Sequence, residues 1–384
     1  MNTKKILLAG AGVAASGCLT AGAAYIHGRS YQLYRRTIFP APPAPLLSPS
    51  LTPAPVPAPV PMPAHAAPKT DYPPANADYV PLRILHISDL HLTKCRYAQL
   101  RFLVQAAHTH PDLLVFTGDL ISQAAVLPEL ARALESFAGI PGVFVYGSND
   151  YTAPRFKNPF RYLYRTSSAD SLKQHSARPL PTDQLTSLLE SFGWINLNNA
   201  RAEMTIKGRK IDFIGVDDPH IKRDIFPTAA TEPAATTSEH SEPATQNLLN
   251  TQGTPATQSP PNMQGASTQN RNLRIGLTHA PYLRILKKLA ENDCQLIFAG
   301  HTHGGQVCLP GGKALTTNCD IPTPYASGIF TWPLGAPAQK GNAQLTFPQA
   351  KQHAIVEVSA GLGSSPFVPL RTFCPPELIL LEVY

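Results

Sequence analysis

Two imidazoles two residues apart, His301 and His303, stand in the run Gly300-His301-Thr302-His303-Gly304-Gly305-Gln306. The largely apolar stretch before them, residues 295–299, reads as a buried strand. A tight, glycine-permitted turn at its end would aim both rings at one centre. Imidazole suits zinc, iron, manganese and nickel, so the pair reads as two metal ligands. The plainer alternative is a surface loop that happens to carry histidines.

Four further segments have the same character. Residues 83–88 are β-rich and end in Asp89-Leu90-His91. Residues 113–117 end in Gly118-Asp119, and residues 142–146 end in Gly147-Ser148-Asn149-Asp150. Residues 273–278 end in His279. Each places an oxygen or imidazole donor just past the C-terminal end of an expected strand, the edge where α/β sheets collect their active sites. This repetition outweighs the surface-loop alternative.

The order Asp89-x-His91, Gly118-Asp119, Asn149, His279, Gly300-His301-x-His303 resembles the calcineurin-like metallophosphoesterases. The resemblance runs from about Leu82 onward and includes Gly215 to His220, Thr278 to Pro281 and Ser359 to Gly363. With Gly147 to Tyr151 it is similar to a bacterial membrane-anchored branch of that family. It implies an α/β fold of four layers, two mixed sheets packed together with helices outside. It also implies a dinuclear site: one metal on Asp89, His91, Asp119 and His303, the other on Asp119, Asn149, His279 and His301.

The chemistry calls for these residue types on its own terms. Two cations about 3.5–4 Å apart need a bridging carboxylate, and Asp119 is the natural candidate. Mixed oxygen and nitrogen donors suit Mn, Fe, Zn or Ni, whereas four histidines are too many for Mg. The bridging water would lose a proton near neutral pH and attack phosphorus in line.

One position departs from the family pattern. A histidine that protonates the leaving group usually follows the Asn, but here Asp150 follows Asn149. An ordinary aspartate is ionised at pH 7 and is a poor acid unless burial raises its pKa. Asp150 could orient His301 or His303, or support the Asn149 turn, and His220 is a second candidate for the proton. Without an acid, aryl esters and pyrophosphates should be preferred over alkyl esters, and Asp150→His should flatten that preference. His86, inside a strand, reads as a core or supporting histidine. Arg155, Lys157 and Arg161, interleaved with aromatics just after Asn149, could hold a second phosphate and an acyl chain or base.

The elements expected around these residues are helices at 98–108, 128–137, 183–192 and 282–291. A hairpin should turn at Lys207-Gly208, and late strands should form at 355–359 and 378–383. The 384 residues suffice for one large domain, and the +7 charge shows no nucleic-acid stripe. Residues 6–26 form an apolar run rich in Gly and Ala, flanked by Lys4, Lys5 and Arg29. About 20 such residues can cross a bilayer. We read residues 1–30 as an uncleaved anchor, with a cleaved signal peptide as the main rival. Residues 31–80 read as a proline-rich linker, a polyproline spacer reaching on the order of 100 Å. Such a stalk suits an extracytoplasmic catalytic domain spanning 81–384. Residues 228–272 read as a disordered insertion within that domain. Six cysteines are widely spaced, and Cys308 with Cys319 is a possible pair.

The reading is a membrane-tethered dinuclear phosphoesterase acting on a phosphorylated small molecule or lipid. The rival is a catalytically idle, metal-bound scaffold at the cell envelope, favoured only by the missing histidine.

Overall fold

The computed structural model describes residues 22–40, 80–154, 178–228, 272–364, 367 and 369–384. The apolar run up to residue 21, the proline-rich segment 41–79, the Arg155, Lys157 and Arg161 loop and residues 229–271 lie outside these. Among the described residues no helix is long and apolar enough to cross a membrane.

In chain order the strands are β1 (Gln32–Phe39), β2 (Leu82–Ile87), β3 (Leu113–Phe116), β4 (Gly142–Phe144), β5 (Ile195–Asn196), β6 (Ala200–Ile206), β7 (Arg209–Gly215) and β8 (Leu273–Leu277). Then come β9 (Leu296–Ala299), β10 (Cys308–Leu309), β11 (Lys313–Ala314), β12 (Gly328–Trp332), β13 (Ala343–Thr346), β14 (Ala354–Val358) and β15 (Glu377–Val383). One sheet has the order β13-β1-β15-β2-β3-β4-β5, the other β12-β14-β9-β8-β7-β6. The strands β2 to β5 run parallel, as do β7, β8, β9 and β14.

The four-layer α/β architecture is the expected one. Every residue of β3 and β9 is buried, because both faces of these strands are covered. Ile84, Val115 and Val143 from one sheet meet Phe213, Ile275 and Phe298 from the other in one apolar layer. The helices Tyr97–Ala106, Leu127–Leu134 and Thr182–Ser191 cover the outer face of the first sheet. The helix Leu283–Glu291 covers the second, turning Ile285, Leu286, Leu289 and Ala290 inward at helical spacing. The hairpin turns at Lys207 (φ 50°) and Gly208 (φ 73°), the positive-φ pair that a two-residue loop requires.

The expected linker at 31–80 is corrected at its start. Residues 32–39 are β1, paired in parallel to both β13 and β15. Arg36 is buried and forms an ion pair with Glu357 on β14, across the two sheets. Two adjacent arginines beside a proline tract hide this strand from pattern reading. The proline-rich segment therefore connects two strands of one sheet and is not a stalk between anchor and domain.

Residues 229–271 join β7 to β8, which are neighbours in one sheet, so they divide no domain. Thr228 and Asn272, where the insertion starts and ends, are both exposed. Replacing Thr231 to Gln269 with a flexible linker of about eight residues should leave melting temperature and turnover nearly unchanged. Each doubling of loop length costs only about 0.6 kcal/mol. A well-folded deletion protein with little activity would instead make the insertion part of the site.

Candidate metal centre

The expected donors converge beyond the C-terminal ends of β2, β3, β4, β8 and β9. His91 Nε2 and His303 Nε2 stand 2.9 Å apart. Asp89 Oδ1 lies 3.5 Å from His303 Nε2 and 3.8 Å from His91 Nε2. It is buried without a hydrogen-bond partner. One oxygen of Asp119 lies 3.4 Å from His91 Nε2 and 3.5 Å from His279 Nε2. His301 Nδ1 faces His279 Nε2 at 3.3 Å. Asn149 donates to Asp119 through its backbone N–H (2.8 Å) and its side-chain amide (2.7 Å).

These residues fit divalent cations. Asp89, His91 and His303 form one compact donor group, and Asp89, Asp119 and His279 form another. An orphaned buried carboxylate oxygen between imidazoles is costly unless a cation satisfies it. Asp89 is shared by both groups, yet the Asp119 oxygen between His91 and His279 has the placing of a bridge.

Supporting contacts set the rings. Thr117 C=O lies 2.6 Å from His279 Nδ1, so the Nδ1–H donates to it and Nε2 faces the centre as an acceptor. Ser88 Oγ donates to Asp89 Oδ2 at 2.5 Å, and the His301 N–H donates to the same oxygen at 2.9 Å. Burial pushes the His301 and His303 imidazoles well below the usual histidine range, which keeps them neutral as ligation requires. Burial works against a charged His279 too, but the Asp119 carboxylate outweighs it and raises this pKa.

The backbone here is strained. Asp89, His91, Asp119, His301 and His303 have φ of 49°, 42°, 56°, 70° and 49°. Such left-handed residues cost on the order of 1–3 kcal/mol each and persist where surroundings over-determine them. Close approach demands glycine at two points. A Cβ on Gly118, at φ 86°, would strike the backbone nitrogen of Gly147. A Cβ on Gly147 would strike Asp119 Oδ1 and lie 2.6 Å from the His279 ring.

Of the roles weighed for Asp150, its contacts favour support of the Asn149 turn over acid catalysis. Its buried carboxylate accepts N–H bonds from Asp119 (2.7 Å), Leu120 (2.7 Å), Gly147 (3.0 Å) and Ile121 (3.3 Å). Burial raises its pKa to about 7, yet four donors on two oxygens suit the ionised form and leave no place for a proton. Asp150 thus ties the Asp119 loop to the Asn149 turn. Asp150→Asn sets an amide N–H against backbone donors and should weaken metal binding about 10- to 100-fold. Asp150→His removes both acceptors and should do no better, contrary to the sequence expectation. Metal titration of both variants decides: unchanged affinity with an altered leaving-group slope would return Asp150 to the role of acid.

His220 is brought to the centre, its ring centroid 4.4 Å from that of His301 and its Nδ1 3.1 Å from the Tyr282 hydroxyl. His86 is fully buried against the Thr117 hydroxyl at 2.9 Å and joins no donor group. Cys308 and Cys319 are free thiols, and Cys308 clusters with Cys374.

Pattern reading missed two residues. Asp218 is fully buried, accepts the His220 N–H at 2.8 Å and is raised to about 7 by burial. Only its place in a conspicuous Asp-Asp-Pro run signalled it. Arg371 is fully buried and, among the described residues, has no carboxylate partner. It donates to the carbonyls of Ala360 (2.8 Å) and Gly361 (3.3 Å) and reaches His303 Nδ1 at 3.2 Å. Nothing in its sequence neighbourhood announces that role.

Two packed mixed sheets with a histidine-carboxylate centre at their strand ends define a metal-dependent phosphoesterase. The family model of the calcineurin-like phosphoesterases matches residues 82–305, more than half of the chain, and the chain belongs to that family. It is a hydrolase acting on phosphoester bonds. It is similar to the uncharacterized protein YpbG of Bacillus subtilis, 27% identical over 77% of this chain and 83% of that protein. It is similar to the UDP-2,3-diacylglucosamine pyrophosphatase LpxG of Chlamydia muridarum, 26% identical over 78% of this chain and 83% of that protein. It also resembles the uncharacterized metallophosphoesterase YkoQ of Bacillus subtilis, 22% identical over 60% of this chain and 63% of that protein.

Proposed function

We propose that the protein hydrolyses a pyrophosphate or phosphodiester bond in a lipid-bearing substrate, using two divalent transition-metal ions, while tethered to a membrane by residues 6–26. The observation that carries the chemistry is the buried, partnerless Asp89 oxygen among imidazole nitrogens, next to the Asp119 oxygen shared by His91 and His279. Bound there, two such cations would supply an activated water and charge against the phosphoryl oxygens. The likeness to a UDP-2,3-diacylglucosamine pyrophosphatase supports a diphosphate joined to an acylated group. With β1 in the sheet, the proline-rich segment no longer supports an extracytoplasmic domain, and the tether rests on the apolar run alone.

The chain's own residues then do three things. Asp150 and Thr117 hold the ligands in place. Asp218 positions the His220 turn. His220 gives the leaving oxygen its proton: in the imidazolium form its Nδ1–H donates to the Tyr282 hydroxyl, and its Nε2–H is given up to leave the neutral ring.

Purified full-length protein with Mn, screened on a pyrophosphate diester, an aryl phosphodiester and an alkyl monoester, tests this. The pyrophosphate and aryl diester should be turned over at least tenfold faster than the monoester. His220→Gln should lose about 10²- to 10⁴-fold on alkyl diesters and little on nitrophenyl esters. No turnover of any substrate at full metal content would favour the scaffold reading, and an equal loss on both ester classes would remove His220 as the acid.

A further inference from the structure

We infer that the metal-bearing edge is the face the domain turns to the bilayer, so that the substrate is hydrolysed with its lipid part still in the membrane. This rests on the tether proposed above. The inference starts from strand direction. β15 is antiparallel to β2, with Ile379 opposite His86. β1 is parallel to β15, with Gln32 opposite Glu377. The start of β1 therefore lies at the end of the sheet where β2 delivers Asp89 and His91. The apolar run of the sequence enters the fold at the catalytic edge.

The entry is fixed there. Residues 22–27 are helical, and the carbonyl of Ala24 accepts the N–H of Arg371 at 3.2 Å. The guanidinium of that arginine reaches His303. Tyr31 stacks on Phe102 of the helix that follows the Asp89-His91 loop, ring centroids 5.5 Å apart. A run of apolar sequence is thus joined to the ligand loops through one hydrogen bond and one side chain.

The surface of this edge fits the same occupant. Exposed large apolar side chains at this edge include Ile26 (71%), Tyr97 (70%), Leu309 (50%) and Phe373 (54%). Among the described residues, Val80 is the one such side chain at the start of β2, on the opposite edge. Arg29, Lys94 and Lys313 are exposed at the same edge. Apolar and aromatic side chains interspersed with cations suit an anionic headgroup layer. A tether that enters at this rim keeps it against the lipid surface, raising its effective concentration there.

The test places one dye at each edge of the full-length protein. Cys95, on the Asp89-His91 loop, is an exposed free thiol; Cys18 and Cys319 are changed to Ser so that it takes the label. The comparison protein carries Cys95→Ser and Val80→Cys as well. Both are reconstituted into phosphatidylcholine–phosphatidylglycerol vesicles containing brominated lipid. Quenching should be at least threefold stronger at Cys95 than at residue 80. Equal quenching, or stronger quenching at residue 80, overturns the orientation while leaving the tether intact. Failure of the protein to float with the vesicles overturns the tether itself and the inference with it. The activity arm uses the triple variant Val307→Ser, Leu309→Ser, Phe373→Ser, Val307 being exposed at the same edge two residues before Leu309. It should lose about tenfold on vesicle-borne CDP-diacylglycerol and keep its rate on bis(4-nitrophenyl) phosphate. Equal rates of variant and parent on both substrates would overturn the inference.

Discussion

Asp119→Ala should empty the centre of both metal ions and lower turnover by more than about 10³-fold. One Asp119 oxygen lies between His91 and His279, and both Asn149 donors point at the same carboxylate. Removing it takes away the anion between the two halves and leaves the Asn149 amide without an acceptor. The loop itself should survive, because Asp150 still holds the backbone N–H groups of residues 119–121. Elemental analysis beside a thermal melt separates site from fold. Full metal content in a folded variant would end the assignment, and one retained equivalent would mean that the halves bind independently.

Arg36→Ala should destabilise the protein by about 3–5 kcal/mol, since it strands Glu357 in the interior without its charge partner. Replacing the pair together, Arg36→Met with Glu357→Leu, should recover most of the loss. The effect has a pH signature. Burial raises the Glu357 carboxyl to about 7, against the pull of Arg36. Its folded pKa lies above its ordinary one, so taking up a proton favours the fold. The Arg36→Ala protein should therefore regain stability as pH falls from 8 toward 5. A protein beginning at Ala75 lacks β1 altogether and should not fold. A cooperative melt at the parent temperature from that truncation would show that β1 is dispensable.

The site was more legible than the scaffold. Metal chemistry restricts donor types, and strand ends restrict their places, so the five clustered donors Asp89, His91, Asp119, His279 and His303 could be read from short motifs such as Gly118-Asp119. Strands buried on both faces, such as β3 and β9, announce themselves as unbroken apolar runs. β1 did not, because one of its two buried residues, beside Ile38, is an arginine neutralised by a glutamate 321 positions away. β12 and β13 were also missed; β13 is short and pairs with β1, at the other end of the sequence. Asp150 was left between acid catalysis and support of the Asn149 turn for a related reason. Its position beside a ligand suggested chemistry, whereas its work is done on backbone N–H groups that carry no sequence signature. Arg371 serves carbonyls in the same way.

The placement of β15 has a consequence for how the molecule is made. It lies between β1 and β2, separating two strands that are synthesised early. β1 thus leaves the ribosome without either of its neighbours, since β13 and β15 are encoded some 300 residues later. At 5–20 residues per second this delay is roughly 15–70 s. Through that interval the nascent chain carries an unmatched strand beside an apolar run, and proline-rich residues that cannot donate to a ladder separate it from β2. Closure of the first sheet is a late event of biosynthesis. The catalytic edge, whose ligands span Asp89 to His303 and whose brace is Arg371, is assembled only when nearly all of the chain has emerged.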